Sequence, residues 1–243
     1  MKLNSISITL VLALAIASAS AADSGPTNQV ADAIARLKSA SNFSWTATLK
    51  LGDGQFDIGP LKGQSEKGGY AKMSQEFNGN ATEVVMKNEK FAYKAEDGWQ
   101  VFGGGGGDMG SLFAANLARN GNAAQEAEFA LKDVRELKAL EAGAMGGDFT
   151  SDGATDMMSF GPRRTAGGDN SGFGPPPPKN AQGTVKFWLK DSALVKYETH
   201  LHGTFTFGDN EREMDITRTV EITDVGTTKM DIPADAKKKL EAK

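Results

Sequence analysis

The sequence predicts an α+β protein: a large curved antiparallel sheet, an open half-barrel, with helices covering its concave face. Three observations lead there. Apolar and polar residues alternate at period two along 43–51, 185–190 and 214–222, as in strands that bury one face. Short turn signals such as Asn78-Gly79-Asn80 and Asp191-Ser192 join neighbouring runs, which makes the pairing antiparallel. Helical periodicity is confined to a few stretches between the strand runs. A sheet of roughly eight to eleven strands must curl or split, and curling leaves an apolar inside for helices to cover.

The chain opens with Lys2, an apolar run from Ile6 to Ile16 broken only by Ser7 and Thr9, and the small-residue exit Ala17-Ser18-Ala19-Ser20-Ala21-Ala22. This is the pattern of a secretory signal peptide cleaved after Ala21. The run falls short of the roughly 20 residues a membrane span needs. The expected organisation is a signal peptide at 1–21 and a single domain at 22–243, carrying a flexible Gly/Pro loop at 161–180. The mature protein is expected in a bacterial periplasm or outside the cell. It has no cysteine, so neither disulfides nor a lipid-attachment thiol is available, and a hydrophobic core must hold it together.

The elements follow in order. Val30, Ile34 and Leu37 share one face of a helix over 27–39, with Thr27 as its N-cap. Phe43, Trp45, Ala47, Leu49 and Leu51 then alternate with polar partners in a half-buried strand. Gly52-Asp53-Gly54 and Gly59-Pro60 turn the chain into strands over 61–67 and 70–77, and strands over 83–87, 91–94 and 99–102 continue the meander. After the glycine run 103–107, helices are expected over 111–119 and 123–131. A hairpin is expected over 134–140 and 144–149, then a helix capped by Thr150 or Ser151 and running to Phe160. Beyond the Gly/Pro loop, strands return over 185–190, 194–207 and 213–222. A last short strand is expected at 229–232, with Pro233 opening a terminal helix.

Composition narrows function. Hydrophobic content of 39% supports a core, and a net charge of −4 argues against a nucleic-acid partner. Glu198, His200 and His202 stand at period two and are of metal-ligating type. These are the only two histidines, however, and the segment reads equally as a solvated strand face, so no metal is expected. The run Gly103 to Ser111 lacks the Gly-Lys-Ser/Thr ending of a phosphate loop and reads as a hinge before a covering helix. Ser171 sits in the Gly/Pro loop, where nothing positions a base, and no carboxylate pair has a catalytic frame. The expectation is therefore no enzyme and no cofactor. The more useful constellation is apolar: Trp45, Phe91, Tyr93, Trp99 and Phe187 on strands, with Leu112, Phe113, Met157 and Met158 on covering helices. These residues either line a cavity, for which adaptable methionines are suited, or fill an ordinary core.

The order of elements, the hairpin Phe187-Trp188-Leu189-Lys190-Asp191 with its return Leu194-Val195-Lys196-Tyr197, and the ending Val225 to Pro233 resemble the bacterial lipoprotein-carrier superfamily, the LolA, LolB and LppX/LprG group. The resemblance implies a half-barrel closed by helices, whose cavity holds acyl chains of lipoproteins or glycolipids. It tips the apolar set toward a ligand cavity and implies a hydrophobic ligand, with envelope proteins as further partners. The chain departs from the mycobacterial-type pattern in lacking a lipobox cysteine and in carrying the Gly/Pro insertion. The alternative is a non-enzymatic structural or interaction module of the cell envelope with a filled core.

Overall fold

The structure, a computed structural model, describes residues 25–52, 58–77, 79–88, 90–102, 109–159 and 176–242. Residues 1–24, where a signal peptide is expected, residues 53–57, Asn78, Glu89, the glycine run 103–107 with Asp108, and residues 160–175 of the Gly/Pro segment lie outside the described residues.

Helix α1 (Pro26–Ser39) leads into a meander of β1 (Asn42–Leu51), β2 (Leu61–Glu66), β3 (Tyr70–Phe77), β4 (Asn80–Lys87), β5 (Lys90–Ala95) and β6 (Gly98–Val101). Two helices follow, α2 (Met109–Arg119) and α3 (Ala123–Lys132). The chain then forms the short β7 (Lys138–Ala139), β8 (Ala144–Asp148), helix α4 (Ser151–Met158) and three long strands. These are β9 (Lys179–Lys190), β10 (Ala193–Phe207) and β11 (Asn210–Thr223), before the terminal α5 (Ala234–Glu241).

All the strands join one antiparallel sheet in the order β6-β5-β4-β3-β2-β1-β11-β10-β9-β8-β7. The two meanders meet at a single non-sequential seam, where Trp45 of β1 faces Ile222 and Leu49 faces Arg218 of β11. This order places β6 and β7 at opposite edges. The segment between them must cross the whole sheet, and it crosses one face: α2 packs on β4 and β5, and α3 packs on α1, which itself lies on β9 and β10. The covered face, called inner below, is thus dictated by connectivity as well as by apolar patterning.

The inner face carries Phe43, Trp45, Met73, Val84, Phe187, Tyr197, Leu201, Phe205 and Val220 in one buried cluster with α1, α2, α3 and α4. Along β4 the alternation is explicit, since Val84 and Met86 point inward while Val85 points outward. At Gly63 the pattern needs a missing side chain: it pairs with Trp45 across β1–β2, and a Cβ there would collide with the indole. The outer face holds a smaller cluster, in which α5 sets Ala236 and Leu240 on Tyr70, Val85 and Ala92. Glu241 fastens that helix, accepting from Tyr70 Oη at 2.7 Å and from Lys87 Nζ at 3.1 Å.

Several details differ from the sequence reading. The first helix begins at Pro26 with Gly25 as N-cap, so Thr27 lies inside its first turn, because proline fits that opening position. The hairpin expected over 134–149 forms across the 3₁₀ turn Glu141–Gly143 with β8 as its second strand, but its first strand is reduced to the two-residue β7 and an isolated Val134–Phe149 bridge. Lys179 and Asn180 belong to β9, so the Gly/Pro segment ends earlier than its composition suggests. Residues 229–232 are not a strand. They run across the outer face, held by Gln64 Nε2 on the Lys229 carbonyl and Lys72 Nζ on the Asp231 carbonyl. A segment crossing strands at an angle cannot share their ladder.

Candidate functional site: the inner face and its helical cover

The candidate residues sort by face. Trp45 (2% exposed), Phe187 (0%) and Met158 (3%) join Phe91 and Tyr93 in the inner cluster, with Met157 half-buried against it. Phe91 stacks on Phe102 at a ring separation of 4.9 Å. Leu112 and Phe113 lie half-buried on α2. Trp99 does not join them. The two-residue turn at Glu96-Asp97 pairs it with Lys94, whose side chain points outward, so Trp99 packs with α5 on the outer face.

The helical cover rests on small side chains. The buried face of α2 is built from Ala114, Ala115 and Ala118, and that of α3 from Ala123, Ala124, Ala127 and Ala130. Larger apolar residues of this region, among them Leu117, Leu131, Met157, Met214 and Ile216, touch the core yet keep part of their surface open. Helix α3 starts where it does because of a capping box: the Asn122 side chain accepts from Ala124 N and Gln125 N, and Gln125 accepts from Asn122 N.

One buried polar cluster breaks this apolar surface. Arg218, on the inner face of β11, donates from Nε to Glu126 Oε1 at 2.6 Å and from Nη2 to Oε2 at 2.9 Å. The Glu126 side chain is 2% exposed and that of Arg218 is 19% exposed. Tyr197 Oη donates to the Ala123 carbonyl at 3.2 Å, tying β10 to the start of α3. Burial raises the Tyr197 pKa well above its ordinary value, and the nearby Glu126 charge adds to this. Burial alone would lower the Arg218 pKa, but the Glu126 carboxylate beside it raises it further, so the guanidinium stays charged. A second pair, Arg119 Nη2 with Asp156 Oδ1 at 2.9 Å, links α2 to α4.

The sequence reading did not single out this cluster. Its only signal was a charge at 218 within the inner-face series Met214, Ile216, Val220 and Ile222. The histidines lie elsewhere. His200 and His202 border an open outer-face cleft of about 700 Å³ with Arg135, Asp148, Gln182 and Thr184. His200 Nε2 pairs with Asp215 at 3.0 Å, and Glu198 accepts from Thr219. Among the described residues no group of three His, Cys, Asp or Glu side chains is placed to hold a metal ion.

These features define a class: an α+β protein with one curved, open antiparallel sheet covered by helices on its inner face. The sequence matches no family model and no curated protein. Among solved structures, the chain is similar to LprF from Mycobacterium bovis, with a TM-score of 0.43 and 10% identity over 87% of this chain and 97% of that one. It is similar to the lipoprotein LppX from Mycobacterium tuberculosis, with a TM-score of 0.45 and 12% identity over 84% and 97%. A LolA superfamily protein from Nitrosomonas europaea aligns with a TM-score of 0.35 and 8% identity over 87% and 96%.

Proposed function

We propose that this chain is an exported, non-enzymatic carrier or binding protein for a hydrophobic ligand, an acyl chain of a lipid or lipoprotein, held between the inner face of the sheet and its helical cover. The observation that carries the reading is the mismatch between the two surfaces. The sheet presents large apolar side chains, whereas the buried faces of α2 and α3 are built largely from alanines, with larger residues left half-open. Displacing such helices gives up little of their own apolar contact and uncovers a wall suited to an acyl chain. Burying a chain of about 14 methylenes at about 0.8 kcal/mol each offers roughly 11 kcal/mol before ordering costs.

A fluorescent fatty acid should bind the purified protein and raise its melting temperature, and native mass spectrometry of protein from its own envelope should find lipid. Material isolated there should begin at Ala22. Phe113→Asp should weaken binding more than folding, because Phe113 is only half-buried on the cover. If protein stripped of lipid and refolded binds no acyl probe at micromolar concentration, the carrier reading falls. One observation favours a second reading, an envelope interaction module with a filled core: Trp45 and Phe187 are almost fully buried by the chain's own side chains. The same binding experiment separates the two.

A further inference from the structure

We propose that Arg218 selects the cargo by its head group: the site takes acyl chains that end in a carboxylate, which replaces Glu126 on the guanidinium. The inference rests on the carrier reading and adds the class of ligand. Arg218 stands where the inner wall changes character. On one side along β11, Val220 and Ile222 are buried; on the other, Ile216 and Met214 are half-open. An amphiphile whose head lies at Arg218 therefore has its tail on the closed side and its polar end toward the open side. The side chain keeps 19% of its surface exposed, so it remains reachable although Glu126 does not.

Two features of the site match a carboxylate. Glu126 already shows the geometry, with both its oxygens on two nitrogens of the guanidinium. Thr199, directly across the β10–β11 ladder from Arg218, is 1% exposed, and its Oγ1 has no hydrogen-bond partner among the described residues. A buried hydroxyl without a partner is costly and rare. A carboxylate arriving at Arg218 brings an acceptor next to it. Admitting cargo beneath α3 separates Glu126 from Arg218. A carboxylate then restores the lost pairing, whereas a neutral head leaves a buried cation uncompensated, the more expensive arrangement. The exchange is charge-neutral, so the site discriminates by what replaces Glu126.

The test compares myristate with tetradecanol, chains of equal length, by isothermal titration calorimetry below their aggregation limits. Wild-type protein should bind myristate at least tenfold more tightly than the alcohol. In the double variant Glu126→Met/Arg218→Met, which removes both charges together and whose fold is checked by circular dichroism, the two affinities should converge. Equal affinities for wild type, or a preference for the acid that persists in the double variant, overturn the inference and leave the carrier reading standing. Binding of neither ligand overturns the carrier reading itself.

Discussion

Replacing Glu126 by Gln tests how the cover is held. The substitution keeps size and one hydrogen-bond acceptor but removes the negative charge that both Arg218 nitrogens use. Arg218 is then a largely buried cation without a counter-ion, a situation that costs about 3–5 kcal/mol where burial is complete. The retained acceptor at Oε1 places the effect near the lower end. At about 3 kcal/mol, and with a shift of about 2–4 °C per kcal/mol for a domain of this size, the melting temperature should fall by about 6–12 °C. That is a large share of a total stability of about 5–15 kcal/mol. The double variant Glu126→Met/Arg218→Met should recover most of the loss, because buried ion pairs replaced by apolar residues of similar volume are often neutral or stabilising. Urea denaturation and calorimetry of the three proteins give the comparison. A Glu126→Gln protein that melts with the wild type would show that the pair contributes nothing. A double variant as weak as the single would show that lost shape, not unpaired charge, is responsible.

Two further outcomes follow from named contacts. Gly63→Ala should destabilise by about 1–3 kcal/mol through collision with Trp45, visible as a lower melting temperature and altered tryptophan fluorescence; by propensity alone, a strand glycine replaced by alanine should instead stabilise. The docking of α5 should depend on pH on both sides. The Tyr70 hydrogen bond, followed by Lys87, lowers the Glu241 pKa below its ordinary 4.5, so that contribution is present above pH 4.5 and lost as pH falls through the lowered value. The Lys87 pKa is raised above 10.5, chiefly by its hydrogen bond to Tyr70 and then by Glu241, so its contribution is present below 10.5 and lost as pH rises through the raised value. The protection factors of the α5 amides, exchange rates corrected for their intrinsic pH dependence, should therefore be highest at intermediate pH, and Glu241→Gln should remove the acid limb. Unchanged exchange in that variant would reject the anchor.

Much of the sheet was legible because its long strands obey period two without interruption. Phe43 to Leu51 and Met214 to Ile222 show which residues turn inward, and the ladder between β1 and β11 agrees. Helix α3 forms over 123–132 where the sequence predicts a helix over 123–131, and Asn122 and Gln125, not named from the sequence, carry its cap. What escaped depended on register or on distance. Trp99 lies one turn from Tyr93, and a shift of one residue decides its face, which only the pairing with Lys94 fixes. Residues 229–232 have strand-like composition, but no local signal says that they cross the sheet instead of joining it. Glu126 and Arg218 are 92 positions apart, and only the fold brings them together.

The sheet order and the alanine cover have a joint consequence. Because β6 and β7 occupy opposite edges, the segment bearing α2 and α3 is fastened to the sheet at both ends. Between those ends its polar ties include Arg119 to Asp156 of α4, Asn122 to Ser65 of β2, Lys38 of α1 to Glu128, Tyr197 to the Ala123 carbonyl, and Glu126 to Arg218. Apolar contact contributed by the cover comes largely from methyl groups, each weaker than the leucine or phenylalanine side chains that usually hold a helix to a sheet. An acyl chain entering beneath it competes against those methyls with about 0.8 kcal/mol for each methylene it buries. On the carrier reading, a ligand of sufficient length would outweigh the apolar hold of the cover, and the Glu126–Arg218 pair is the charged contact with the sheet that it would have to break or replace.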